Sequence, residues 1–301
     1  MTGFVQSKIE LERDVQNELL NWKNKRHHTV LQIEGPWHVG KTHEVKKFVY
    51  SHYKQVVYVN LVRDEYGFED LMLTDHFMRE YCRNAGIGEY VDDESTVLVI
   101  DEIQERANVY NAIRDLREQL GCDIIVSGSY LARTVNSRDF FLPAGIAYLQ
   151  MYPLSFKEFC RALNIEDILE TISLKSESKD EDYQKLEEAY QVYRKIGGYP
   201  LVVTTFIESR QIDDCMVVLE DLIRTFTAES SRFFTNSTAL SIFQEAYKAV
   251  LVQIAEEEKG TGKTFLEFVT NFVKDTVKEP VSRNEVRTAA SWLLYSGIIG
   301  Y

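Results

Sequence analysis

Eight consecutive residues, Gly35-Pro-Trp-His-Val-Gly40-Lys41-Thr42, place two glycines, a lysine and a hydroxyl at the spacing G-x-x-x-x-G-K-[ST]. Glycine lets the backbone curl until successive N–H groups face one phosphate, and a helix opening at the end of the loop adds positive potential there. Lys41 then offers a cation to the terminal phosphates of a nucleotide, and the Thr42 hydroxyl is a ligand for Mg²⁺. Gly35, Pro36, Trp37, His38, Val39, Gly40, Lys41, Thr42 and the following His43 are the candidate nucleotide-binding residues. A plain glycine turn before a helix would look alike. What separates the two is context, since an apolar run, Val30-Leu-Gln-Ile33, precedes this loop and helix formers follow it.

The second constellation is Val97-Leu-Val-Ile-Asp101-Glu102, an apolar strand candidate ending in two carboxylates. An acid at the carboxyl end of a buried strand can hold Mg²⁺, so Asp101 pairs with Thr42 as a metal ligand. The adjacent Glu102 can orient or deprotonate an attacking water and is, with Lys41, a candidate catalytic residue. Strand-end acids also serve as caps or solvated turns, and the phosphate loop upstream is what favours catalysis. Beyond the next strand candidate, Ser127-Gly-Ser129 places two hydroxyls where a terminal phosphate would lie. Ser127 and Ser129 either sense that phosphate or position water, or they simply close a turn. A second Gly262-Lys263-Thr264 is a decoy, because Glu257 stands where the first glycine belongs and no strand precedes it.

The elements that must position these groups follow from periodicity. Short β-branched runs at 30–33, 56–59, 97–100 and 124–126, with a weaker one at 146–149, alternate with helical stretches near 42–53, 68–83 and 105–119. Strand–helix alternation predicts an α/β core with a parallel sheet. Ser7-x-x-Glu10 reads as a capping box opening a first helix, whose stripe is Val15, Leu19 and Trp22. After Pro153 the pattern is helical, broken by a polar stretch at 175–182. Capping boxes at Thr264-x-x-Glu267 and Ser282-x-x-Glu285, with Gly297 beyond, punctuate the tail.

Composition narrows the classes. The 301 residues are 45% hydrophobic and 27% charged, an ordinary globular mixture. No run approaches the ~18 apolar residues of a membrane span, and no signal-peptide core opens the chain, so a soluble cytoplasmic protein is expected. Cys82, Cys122, Cys160 and Cys215 lie far apart, which argues against a disulfide scaffold or a zinc site. The net charge of −13 is the wrong sign for a protein whose main task is gripping nucleic acid. The tail, 236–301, carries 7 basic and 8 acidic residues and offers no electrostatic footprint either, although Arg283 and Arg287 share a helix face.

Trp22, the Gly35–Thr42 loop, Asp101-Glu-Ile-Gln104, Ser127-Gly-Ser129, Pro153-Leu-Ser-Phe-Lys-Glu-Phe159 and Gly197-Gly-Tyr-Pro200, in this order, resemble the AAA-type prokaryotic P-loop ATPases over about 8–205. The resemblance implies a P-loop NTPase parallel-sheet core with the loop strand central (1–160), a helical lid (161–235) and a winged-helix-like C-terminal segment (236–301). It implies ATP and Mg²⁺ as ligands, and places Gly197–Pro200 in the lid near the nucleotide. ATP is preferred over GTP mainly by this resemblance; in addition, Gln104 occupies a position where a GTPase carries glycine, and Asn136-Ser-Arg-Asp139 lacks the lysine that recognises guanine.

Two departures stand out. The family places an arginine after the glycine before the fifth strand, where this chain has Gly145-Ile146, leaving Arg133, Arg138 or a second copy of the chain as sources. Members commonly continue into a further domain, and this chain stops at Tyr301, so a short member or a truncated chain is expected. The function expected is an Mg-dependent ATPase acting on an unidentified protein partner. The alternatives are a slow nucleotide switch and a nucleic-acid-associated module in the tail.

Overall fold

The computed structural model describes residues 9–25, 29–129, 145–172, 178–230, 234, 237–257 and 265–295. It divides into two compact units, 1–215 and 216–301.

The first unit is built on five parallel strands, β1 (Val30–Glu34), β2 (Gln55–Asn60), β3 (Thr96–Asp101), β4 (Asp123–Ser127) and β5 (Ile146–Gln150), in the order β2-β3-β4-β1-β5. Strand β1 is interior, flanked by β4 and β5, but the middle position belongs to β4 and not to the loop strand as expected. Strands β3 and β4 are buried along their whole length, which is why they read as unbroken apolar runs.

Both faces are covered. Leu31, Ile33, Val97, Val99 and Ile125 pack with Val15, Leu19 and Trp22 of α1 (Val15–Lys23) and with Val45, Phe48 and Val49 of α2 (Lys41–His52). On the other face Val57, Val59, Leu98, Ile100, Ile124 and Val126 meet the crossover helices α3 (Phe68–Leu71), α4 (Phe77–Asn84), α5 (Ala107–Asn111) and α6 (Ile113–Gln119). The register sets Asp101 beside Asn60 on one side and Ser127 on the other, so the carboxyl ends of three strands converge.

Three expectations about helices are corrected. The first helix begins at Val15, after an irregular segment 9–13, so Glu10 is not a helical residue and instead pairs with Lys47 at 2.6 Å. The stretch 68–83 is two helices, because Leu71–Thr74 closes as a turn between them. The stretch 105–119 breaks into a 3-10 turn (Ile103–Glu105), α5 and α6.

After β5 the unit is helical, with α7 (Phe156–Ala162), α8 (Glu166–Thr171), α9 (Asp180–Ile196), α10 (Pro200–Ser209) and the start of α11 (Ile212–Ser230). The second unit holds the rest of α11 with α12 (Ser237–Glu257), α13 (Phe265–Thr276) and α14 (Arg283–Tyr295). Its core is aromatic, with Phe226, Phe234 and Phe243 gathered around Trp292. The Ser282–Glu285 capping box is real, with the Glu285 N–H donating to Ser282 Oγ at 3.2 Å and the Ser282 N–H to Glu285 Oε2 at 2.9 Å. Among the described residues this unit contains no strand. Ser7, the 262–264 decoy, Thr264, Gly297, Arg133, Arg138 and the 136–139 stretch lie outside the described residues.

Candidate functional site

The loop between β1 and α2 owes its course to backbone that few residues adopt. Gly35 has φ +153 and Gly40 φ +94, and a Cβ on Gly35 would stand 2.1 Å from the Met151 carbonyl oxygen. Only glycine can pass there. His38, at the crest, also lies in the left-handed region with φ 62, its ring exposed and 3.9 Å from that of Trp37. Val39 is buried, which anchors the loop to the core. The His43 side chain is exposed in the first turn of α2, with Nε2 4.0 Å from Glu44.

Lys41 is buried at 7% exposure, and its Nζ donates to the carbonyls of Gly35 at 2.9 Å and Pro36 at 2.8 Å. Burial pulls its pKa down to about 8 against the opposing fields of Glu102 and Asp101. The ammonium is therefore held at the centre of the loop by the loop itself.

Thr42 opens α2 and its hydroxyl donates to Asp101 Oδ2 at 2.9 Å, across 59 residues of chain. Asp101 is 2% exposed and receives three further hydrogen bonds: from the Tyr58 hydroxyl on Oδ2, from Ser127 Oγ on Oδ1, and from the Glu102 N–H on Oδ1 at 3.1 Å. Burial first, then the hydrogen bond to Asp101, pushes the Tyr58 phenol upward, so it remains a donor. Ser127, expected to face a phosphate, instead spends its hydroxyl on Asp101.

Glu102 follows Asp101 with φ 57 and ψ 42, a left-handed conformation that costs a non-glycine residue about 1–3 kcal/mol. Its carboxylate accepts from Gln104 Nε2 at 2.5 Å. Burial is the main cause of its raised pKa, opposed by the Gln104 hydrogen bond. Ser129 is buried at 4% and its N–H donates to Gln104 Oε1 at 3.3 Å.

The donor set suits Mg²⁺. Thr42 Oγ1 and Asp101 Oδ2 are hard oxygens at a shared point, which suits a small divalent cation. No group of three His, Cys, Asp or Glu side chains among the described residues could hold a metal alone. A hydroxyl and one carboxylate completed by phosphates and water is the usual way Mg²⁺ is bound, so the residues fit the ion.

Sequence reasoning overlooked the support beneath the loop. Arg13, 7% exposed, donates from Nη1 to the Val39 carbonyl at 3.1 Å, from Nη2 to the Tyr152 carbonyl at 2.7 Å and from Nε to Glu158 at 3.0 Å. Glu158 completes the Ser155 capping box of α7 and also accepts from the Asp14 N–H at 2.9 Å. Burial works to raise the Glu158 pKa, but the N–H groups of Ser155 and Asp14 and the Arg13 guanidinium outweigh it and hold it low. The spacing Ser155-x-x-Glu158 could have revealed the cap, whereas nothing near Arg13 signals its partners. Tyr58 was also legible in part, since alternation along β2 puts it on the side of Asn60.

Pro200 lies near this loop as expected. A Cβ on Gly40 would stand 3.8 Å from Pro200 Cγ and 3.7 Å from Met151 Cε.

The chain is similar in part to known proteins. Residues 27–160 match the family model described as an AAA domain. An uncharacterised Haemophilus influenzae protein is 29% identical over 110 residues, which span 36% of this chain and 24% of that protein's length. Among solved structures, a Walker-type ATPase of Pyrococcus abyssi superposes with a TM-score of 0.49 at 14% identity, covering 94% of this chain and 96% of its own. The Orc1 protein of Aeropyrum pernix, solved with DNA, gives 0.40 at 15% identity, covering 96% and 85%. The phosphate loop and the paired strand-end acids both fall within 27–160, the segment that is similar to an AAA domain.

Proposed function

We propose that this protein is an Mg-dependent ATPase that couples ATP hydrolysis to movement of its helical segment and so to a protein partner. One observation carries the reading: Thr42 and Asp101 share a hydrogen bond at 2.9 Å, beside the Lys41 cradle. Mg²⁺, when bound there, would supply charge neutralisation for the phosphates. Lys41 binds the terminal phosphates, exchanging the Gly35 and Pro36 carbonyls for phosphate oxygens. Glu102, one residue past the metal ligand, is suited to take a proton from water at its carboxylate, a role that burial and its raised pKa favour. Ser129 is a candidate for engaging the terminal phosphate. The four free, buried thiols suit a reducing cytoplasm.

A slow nucleotide switch is the second reading, favoured by Ile146 at the start of β5, where the resembling family carries arginine. A stabilising arginine is worth ~10³–10⁵ in rate, so its source decides between the two. The exposed Arg283 and Arg287 on α14 are too few against the local acidic residues to favour nucleic acid. The deciding experiment measures mass in solution with and without ATP and Mg²⁺ while following phosphate release on the same sample. Turnover that rises with assembly supports the ATPase. ATP retained without release in every assembly state supports the switch.

A further inference from the structure

We propose that Gln104 is a positioning residue whose side-chain amide joins the Glu102 carboxylate to the main chain at Ser129, so that the Ser129 loop holds the carboxylate in place and displacement of the loop releases it. The proposal rests on the reading of Glu102 as the residue that acts on water.

Gln104 leaves a 3-10 turn whose first residue, Ile103, is fully buried, so the base of the side chain is fixed. Its Nε2 donates to Glu102 Oε2 at 2.5 Å and its Oε1 accepts the Ser129 N–H at 3.3 Å, 25 residues away at the end of another strand. A carboxylate can only accept and an N–H can only donate, so the amide has one orientation that serves both. Few side chains could replace it. Glutamate has no donor for Glu102, lysine has no acceptor for Ser129, and asparagine is one methylene shorter.

The two ends differ in strength. The Glu102 end is short and charge-assisted, whereas the Ser129 end is long and neutral. Displacement of the Ser129 loop therefore breaks the weak end first and leaves the amide to move with Glu102. The left-handed backbone at Glu102 is what brings side chains two residues apart alongside each other. A cap confined to the turn would need only the first bond; the second reaches the loop that sequence and position assign to the phosphate.

The test has two arms. In nucleotide-free protein, Glu102→Ala should shift the Ser129 amide resonance in two-dimensional NMR, and should leave it unmoved in a Gln104→Met background. A Ser129 amide that ignores Glu102→Ala, or responds equally in both backgrounds, overturns the bridge. In turnover, Gln104→Met should lower kcat about tenfold or more, a loss typical of a misplaced catalytic group, with KM for ATP nearly unchanged. A wild-type kcat in Gln104→Met overturns the positioning role. Gln104→Glu, which keeps the acceptor but loses the donor, should match Gln104→Met in kcat and serves if the latter misfolds. Wild-type turnover in Glu102→Gln would remove the assignment of Glu102, while the resonance arm, which needs no turnover, tests the bridge by itself.

Discussion

Thr42 Oγ1 and Asp101 Oδ2 meet at 2.9 Å, and Tyr58 donates to the same carboxylate oxygen. The carboxylate is thus aimed before any cation arrives. Asp101→Asn should weaken the Mg²⁺ dependence of ATP binding, since a neutral amide is a poor ligand for a hard divalent ion. Titrating ATP binding at increasing Mg²⁺ checks this, and an unchanged Mg²⁺ midpoint counts against the ligand assignment. Tyr58→Phe should shift the midpoint less, because it removes orientation and no charge.

Lys41→Ala should abolish measurable ATP binding while leaving the circular dichroism spectrum unchanged. Calorimetric titration reads the first, and ATP affinity equal to wild type would remove the loop from the binding site. Lys263→Ala, in the decoy sequence, should bind ATP as the wild type does.

Glu102→Gln preserves size and most hydrogen bonding but removes the basic carboxylate. ATP binding should persist while phosphate release falls by ~10²–10⁴, the usual worth of a general base. Single-turnover phosphate release is the measurement, and a wild-type rate rejects the role.

Arg13→Met should destabilise the first unit by about 3–5 kcal/mol, because it leaves the Glu158 carboxylate buried without its partner. Chemical denaturation gives the value, and the double variant with Glu158→Gln should lose less than the sum of the singles. The pair also predicts acid sensitivity. The Glu158 pKa is held below its ordinary 4.5 in the folded protein, so its contribution is complete above that value and is lost as the pH falls through the lowered one. Glu158→Gln should flatten the acid limb of the stability–pH curve, and an unaltered limb places the linkage elsewhere.

How legible all this was depended on how local each feature is. The strands and the phosphate loop are written in contiguous residues, and β1 to β5 lie within a residue or so of the apolar runs that announce them. The first helix start was misjudged because Ser7-x-x-Glu10 matches a cap, whereas Glu10 lies before the helix and is drawn to Lys47. Ser127 could not be paired with Asp101 from the sequence, for a different reason. Its neighbour across the sheet, Asp101, is set by β3–β4 register, which one strand's sequence does not contain. Arg13 is the extreme case, since its partner Glu158 is 145 residues away.

Gly198 and Leu154 close on each other with no room for a side chain. The Leu154 N–H donates to the Gly198 carbonyl at 2.6 Å, a Cβ on Gly198 would lie 2.1 Å from the Leu154 oxygen, and that oxygen already accepts from Tyr193 at 2.7 Å. Two motifs 44 residues apart in sequence are therefore one mechanical part. Any displacement of Gly197–Pro200 has to drag Pro153–Ser155 along, and with them α7 and the Arg13 brace under Val39. A hinge cannot sit between these two motifs; whatever swings must pivot beyond them, and a spin-label pair on the exposed neighbours Tyr152 and Lys195 should read a constant distance through the whole nucleotide cycle.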